Sequence, residues 1–197
     1  MRIVKLLALL ATALFVVGCV PVSLSLHPFY TDETTVFDPK LLGVWVAKDS
    51  EETITFRFKK WSAQTYRLRV TQGKTTSKAL EVHLVKLGKG VFLDMFPEAE
   101  EGEKPEPTLH DFHLIPAHSL WRIRMERDRM RLAMLDPDWL DKAIKHEVAL
   151  KHEELEGWLV LTAPTADLQA FIAKHATDKE AFADAFELRR QTAGKGG

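Results

Sequence analysis

Ile54-Thr55-Phe56-Arg57-Phe58-Lys59, followed after a short break by Tyr66-Arg67-Leu68-Arg69-Val70, alternates apolar and polar side chains at every step. A period of two puts Ile54, Phe56, Phe58, Tyr66, Leu68 and Val70 on one face and the charged residues on the other, the pattern of half-buried antiparallel strands. The pattern extends in both directions. Gly43-Val44-Trp45 begins an earlier strand, and Leu80, Val82 and Leu84 form a further face after the turn Gln72-Gly73-Lys74. Val91–Phe96 follows the turn Gly88-Lys89-Gly90. Strands resume at Leu109–Ile115, Ser119–Glu126 and Arg129–Leu135, with Arg127-Asp128 as a hairpin connection. Trp121, Ile123 and Met125 share one face of their strand, and Met130, Leu132 and Met134 share one face of the next.

Helical signals are few and late. Asp38-Pro39 starts a short turn just before the first strand, and Asp136-Pro137-Asp138 starts a helix reaching about His146. Val148–Glu153 is expected to pair with a last strand, Trp158–Ala163. Thr165 is expected to cap a helix carrying Leu168, Phe171 and Ile172. Thr177-Asp178-Lys179-Glu180 reads as a capping box for a second C-terminal helix with Phe182 and Phe186 on one side. The segment Pro97–Pro107, rich in Glu, reads as an exposed loop.

The N-terminus has a different character. Arg2 and Lys5 precede an apolar stretch from Leu6 to Val17, and Gly18 and Cys19 follow. A charged start, roughly a dozen apolar residues and a small-residue cleavage site are the parts of a secretion signal, too short to be a transmembrane helix. Cys19 is the sole cysteine of the 197 residues, so no intramolecular disulfide can form. Val16-Val17-Gly18-Cys19 resembles the lipobox of bacterial lipoproteins. That resemblance implies a diacylglycerol on the Cys19 thiol, cleavage before Cys19, frequent acylation of the new N-terminus, and palmitate-type chains holding the mature protein to a membrane. Val20 stands where many inner-membrane lipoproteins carry an Asp, which favours the outer membrane, facing the periplasm, in a Gram-negative host. The expected organisation is a signal over residues 1–18, a lipidated tether over 19–38, and one β domain with C-terminal helices over 39–192.

The expected mature chain has 179 residues, enough for a single domain with a real core. Arg2 and Lys5 leave with the signal, so 25 of the 27 basic residues face 28 acidic ones, a net charge of −3. That balance gives no reason to expect a nucleic-acid partner. Arg122, Arg124, Arg127, Arg129 and Arg131 are expected on the wet face of a strand pair.

With about eight or nine strands first, helices last, and Gly43-Val44-Trp45 opening the first strand after a helical turn, the chain resembles the lipocalin-like (calycin) architecture. The resemblance implies a mainly β fold: an antiparallel barrel or half-barrel, with the inserted helix after Asp136 and two C-terminal helices. An open sheet with helices on one side is the alternative. The stretches Leu26–Tyr30, Phe37-Asp38-Pro39, Gly43-x-Trp45 and Leu161–Thr165 also resemble a group of bacterial lipoproteins without an assigned activity.

Chemistry-bearing motifs are sparse. His110 and His113 fall on opposite faces of a strand, so no metal site is expected there, and no cofactor motif appears. Ser119 beside His118 lacks a nucleophile elbow, and Asp136 and Asp138 are explained by the helix start. Glu81 and His83 are expected to face water. Trp45, Phe56, Phe58, Tyr66, Trp121 and Met130 lie on the apolar faces, where they either fill the barrel or line a cavity for a small apolar ligand. Two non-enzymatic functions follow: a carrier of a small apolar or lipid-like molecule, or a lipoprotein with a filled core that docks on another envelope protein. Leu24–Phe37, the loop Glu98–Glu106 and the terminal helices would be the docking surfaces.

Overall fold

The computed structural model of the chain describes residues 23–48, 53–98, 114–147, 150–155, 158–182 and 185–191. Cys19 and the signal segment, most of the acidic loop, and His110 to His113 lie outside the described residues, so the expectations made for them stay where the sequence put them.

In chain order the strands are β1 (Leu24–Ser25), β2 (Thr35–Val36), β3 (Gly43–Lys48), β4 (Thr53–Lys60), β5 (Thr65–Gln72), β6 (Thr75–Thr76), β7 (Leu80–Leu87), β8 (Gly90–Pro97), β9 (His118–Glu126) and β10 (Arg129–Met134). Helix α1 (Pro137–Glu147), β11 (His152–Leu155), β12 (Trp158–Leu161), α2 (Thr165–His175) and β13 (Ala185–Arg190) follow. Eight of these strands close into an antiparallel barrel in the order β3-β4-β5-β7-β8-β9-β10-β13, with β13 returning to β3. Closure removes the sheet edges that an open form would leave unpaired. The barrel is thus closed, as the calycin likeness implies, rather than an open sheet.

The alternation read from the sequence is the alternation observed. Trp45, Phe56, Phe58, Tyr66, Leu68, Val82, Leu84, Leu93, Ile123, Met130, Leu132 and Leu188 form one core inside the barrel. A second core lies outside it. There Val85, Leu87, Phe92 and Leu120 from the outer face of β7–β9 join Leu168, Phe171 and Ile172 of α2, and Leu140 and Ile144 of α1. β7 and β8 are therefore covered on both faces over most of their length, unlike the half-wet β4 and β5.

The second C-terminal helix does not form. Glu180–Phe182 is a single 3-10 turn, and Ala185–Arg190 is the strand that closes the barrel. Leu188 points inward and Glu187 and Arg189 outward, which is strand periodicity. Phe182 and Phe186, spaced like residues of one helix, belong to different environments: Phe182 is buried in the outer core, whereas Phe186 tilts toward Phe56 and Trp121. Two other expectations shift: Leu114 and Ile115, the described end of the strand expected at Leu109–Ile115, are not strand, and the partner of Trp158–Leu161 is His152–Leu155 rather than Val148–Glu153. Asp136 caps α1 by accepting from the Trp139 N–H at 2.7 Å. For α2 the cap position is Pro164, not Thr165, and no side chain bonds there.

Residues 23–42 form a strap that crosses the outside of the barrel and ends against its inner core, where Val36, Phe37, Leu41 and Leu42 pack. β1 sits between β9 and β12, parallel to the latter. β2 pairs with β7, and the 3-10 turn Pro39–Leu41 leads into β3. Gly43 begins that strand at φ +120°, a conformation that residues with a side chain rarely adopt. A Cβ there would lie 2.9 Å from the Arg190 guanidinium. Gly88, also at positive φ, lets the β7–β8 turn approach the Ala173 carbonyl of α2.

Candidate functional site

The six residues expected to line a ligand cavity all belong to the inner core or its margin. Trp45 is fully buried, its indole N–H donating to the Leu41 carbonyl at 2.9 Å. The Arg190 guanidinium lies 4.2 Å above the Trp45 ring and donates to the Leu42 carbonyl at 2.8 Å, and also to that of Lys40. These contacts lock the last barrel strand to the strap. The Tyr66 hydroxyl accepts from the Asp38 N–H at 2.6 Å and donates to the Asp38 carbonyl at 3.1 Å, and its ring stacks on Phe37. Burial raises the Tyr66 pKa, against the opposing pull of the Asp38 backbone hydrogen bond. Phe56, Phe58 and Met130 are buried, and half-buried Trp121 donates to the Ser119 hydroxyl at 3.2 Å. The structure therefore brings the six together in the inner core and at its margin.

Open space lies at the strap end of the barrel. A half-open cavity of about 1240 Å³ is bounded by the strap from Val36 to Lys40, the β7–β8 turn, the end of β9 and the end of α2. Trp45 is the one expected ligand residue on its wall. Apolar lining comes from Val36, Phe37, Leu84, Val91, Ile123 and Met125. Lys40, Lys86, Lys89, Arg122, Arg124, Arg127 and Arg190 also line it, against two carboxylates, Asp38 and Glu126. Small-molecule pockets commonly occupy roughly 300–1,000 Å³, so this space is large enough for an amphiphile.

A second constellation lies on the outer face beneath the strap, where the sequence reading had placed Glu81 and His83 in water. His83 is only 8% exposed because Tyr30 stacks on it at 3.6 Å. Its Nε2 meets Glu81 at 2.8 Å, while its buried Nδ1 has no hydrogen-bond partner among the described residues. Asp94, fully buried on the neighbouring strand, contacts His118 Nδ1 at 2.7 Å and accepts the Phe29 N–H at 2.7 Å. Phe96 stacks on the His118 ring, with the centroids 4.3 Å apart. Burial, followed by the nearby charges of Asp94, Glu81 and Asp32, raises the Tyr30 pKa. An Asp oriented on a His is a part used in acid–base catalysis, but here the second Asp oxygen holds the strap. Asp94 was missed in the sequence; the signal was a lone carboxylate inside the apolar run Val91–Phe96. No group of three or more metal-ligating side chains converges among the described residues.

Arg122 departs from the wet face expected for its run. It is 9% exposed, and it donates to the Asp178 carbonyl at 2.7 Å and the Phe182 carbonyl at 3.0 Å. Burial, with Arg124 and Arg131 close by, lowers its pKa. Arg124, Arg127, Arg129 and Arg131 are exposed as expected.

Comparison with family models, with curated proteins and with solved structures gives no match. Functional inference therefore rests on this geometry. No described helix is long and apolar enough to cross a membrane.

Proposed function

We propose that this chain is a non-enzymatic envelope lipoprotein, tethered through Cys19, that binds a small apolar or lipid-like molecule in the cavity at the strap end of its barrel. One observation carries the binding half of this reading: the half-open space of about 1240 Å³ with an apolar floor and a cationic rim. An apolar floor takes an acyl or ring system out of water, at about 25 cal/mol per Å² of apolar surface removed. The tether half rests on the signal-like N-terminus and the lone cysteine. An outer-membrane site facing the periplasm is the reading favoured by Val20. The strap supports the pairing of these roles, because its residues 36–40 form one wall of the cavity.

Native mass spectrometry of the chain from residue 19 onward, carrying Cys19→Ser and purified without detergent, tests the binding. A reproducible added mass, lost on denaturation and identified as a lipid, is the expected result. A bare protein mass that stays bare with added fatty acids or apolar dyes would sink the carrier reading. The tether is checked in a bacterial host, where wild type should sediment with membranes and Cys19→Ser should not.

A second reading, docking on another envelope protein, is favoured by a different observation. The packed barrel leaves Leu155 and Trp158 exposed and directly opposite each other on the hairpin β11–β12, whose β11 is a free sheet edge among the described residues. Co-purification of an envelope protein that is lost in Trp158→Ser would support it over the carrier.

A further inference from the structure

β9 and β10 place like charges opposite each other on the barrel's outer face. Arg124 and Arg131 are register partners, and the next pair along is Arg122 with Ala133. Directly opposed like charges on one sheet face are destabilising, so the arrangement has a cost that the fold itself does not need. These residues line a groove of about 400 Å³ together with Lys179, Phe182 and Ala185. Among the described residues, four of the seven that line it are cationic and none is a carboxylate. Glu187 pairs with Arg131 at 2.7 Å, both side chains being more than half exposed. Arg122 is different. It is nine-tenths buried, its guanidinium fixed by two backbone carbonyls and set against the Phe182 ring at 4.7 Å. A planar, pre-positioned guanidinium flanked by exposed cations matches the geometry of a phosphate group.

The groove is not isolated. Arg122 and Arg124 line both it and the larger cavity, and the segment 176–179 borders both as well. We infer that the groove is a phosphate-binding site and that, with the adjoining cavity, it holds a phosphorylated amphiphile, phosphate in the groove and hydrocarbon on the apolar floor. The hydrocarbon half rests on the carrier reading above; the phosphate half does not.

Isothermal titration of the chain from residue 19 onward with Cys19→Ser uses three probes: dodecyl phosphate, dodecanol and inorganic phosphate. The variant is Arg131→Ala with Lys179→Ala, two exposed residues that line the groove and not the cavity. Dodecyl phosphate should bind at least about tenfold more tightly than dodecanol, as charge-assisted bonds add to apolar burial. The double variant should lose at least that factor for both phosphate probes, and leave dodecanol and the thermal midpoint unchanged. Equal binding of the two 12-carbon probes, with no effect of the variant, overturns the phosphate site and leaves the carrier reading standing. Binding of inorganic phosphate alone, lost in the variant, overturns the amphiphile and the carrier reading together and leaves a free-phosphate site.

Discussion

Arg190 shows how much a single side chain joins here: it lies over Trp45, caps the strap carbonyls of Lys40 and Leu42, and sits where a Cβ on Gly43 would go. Gly43→Ala is therefore expected to destabilise the protein by about 1–3 kcal/mol, through its positive φ and through displacement of that guanidinium. Urea unfolding would show this as a lower midpoint with an unchanged slope. The tyrosines give a second residue-scale prediction. The chain contains two, Tyr30 and Tyr66, and burial is the leading cause of a raised pKa at both. A tyrosinate absorbance titration of the whole protein should thus have its midpoints above the ordinary value of about 10. The folded state binds these protons more tightly than the unfolded state. The stability this provides is complete below the unfolded pKa and is lost as pH rises through the folded values. Folding stability should fall in strongly alkaline solution, and less so in Tyr66→Phe. Midpoints at or below 10 would contradict both statements.

Among the elements, the strap has the most conditional hold. Its Phe29 N–H depends on Asp94, the carbonyl of Phe29 accepts from Gln169 of α2 at 3.1 Å, and Thr34 offers its carbonyl to Lys86. Asp94→Ala leaves the Phe29 donor and the His118 ring without their buried acceptor, and should cost about 3 kcal/mol. Limited proteolysis should then cut between residues 26 and 34 at protease levels that spare the wild type. Survival of the strap would mean that its β-pairings alone secure it. The strap also marks where sequence reading stops. Strands β3 to β5 were legible because one face is wet and the alternation is clean. β7 and β8 gave their positions but not the fact that their outer face is covered, since the covering comes from residues 29–36 and 165–176, far away in sequence. That is why His83 was read as solvated. The mistaken helix after Thr177 has a similar cause. A capping box followed by Phe182 and Phe186 satisfies every local helix rule, while the partners that make Ala185–Arg190 a strand are β3 and β10. The inward Leu188 between outward Glu187 and Arg189 was the local evidence for it, and six residues made it short.

For the whole molecule, the arrangement is one barrel with two cores that share its wall, one inside and one between the wall and the helices. The aromatic set chosen from the sequence was real as a cluster, yet sequence periodicity reports only which face a side chain takes, not how tightly that face is filled. The open space lies instead where the strap, two turns and the end of α2 meet, a junction no single stretch encodes. Because β13 supplies the last pairing on both sides of the seam, ending the chain after Ala181 should do more than shorten it. It would expose the edges of β3 and β10 and uncover Met130, Leu132 and Trp45. Such a truncated chain should lose its cooperative thermal transition and bind hydrophobic dyes; a sharp transition retained near that of the whole chain would show that the barrel tolerates an open seam.

The position of β1 has a consequence in time. Leu24 and Ser25 lie between β9 and β12, and their parallel partners Val160 and Leu161 are made more than 130 residues later. A ribosome or a secretion channel delivers the chain from its N-terminus, so the first strand has to wait, unpaired on that side, until nearly all the rest has emerged. Contacts so distant along the chain slow folding, because the long loop must be closed before its pairing is gained. Docking of the leading segment is therefore expected to be a late event in assembly, with the end that arrives first among the last to find its place.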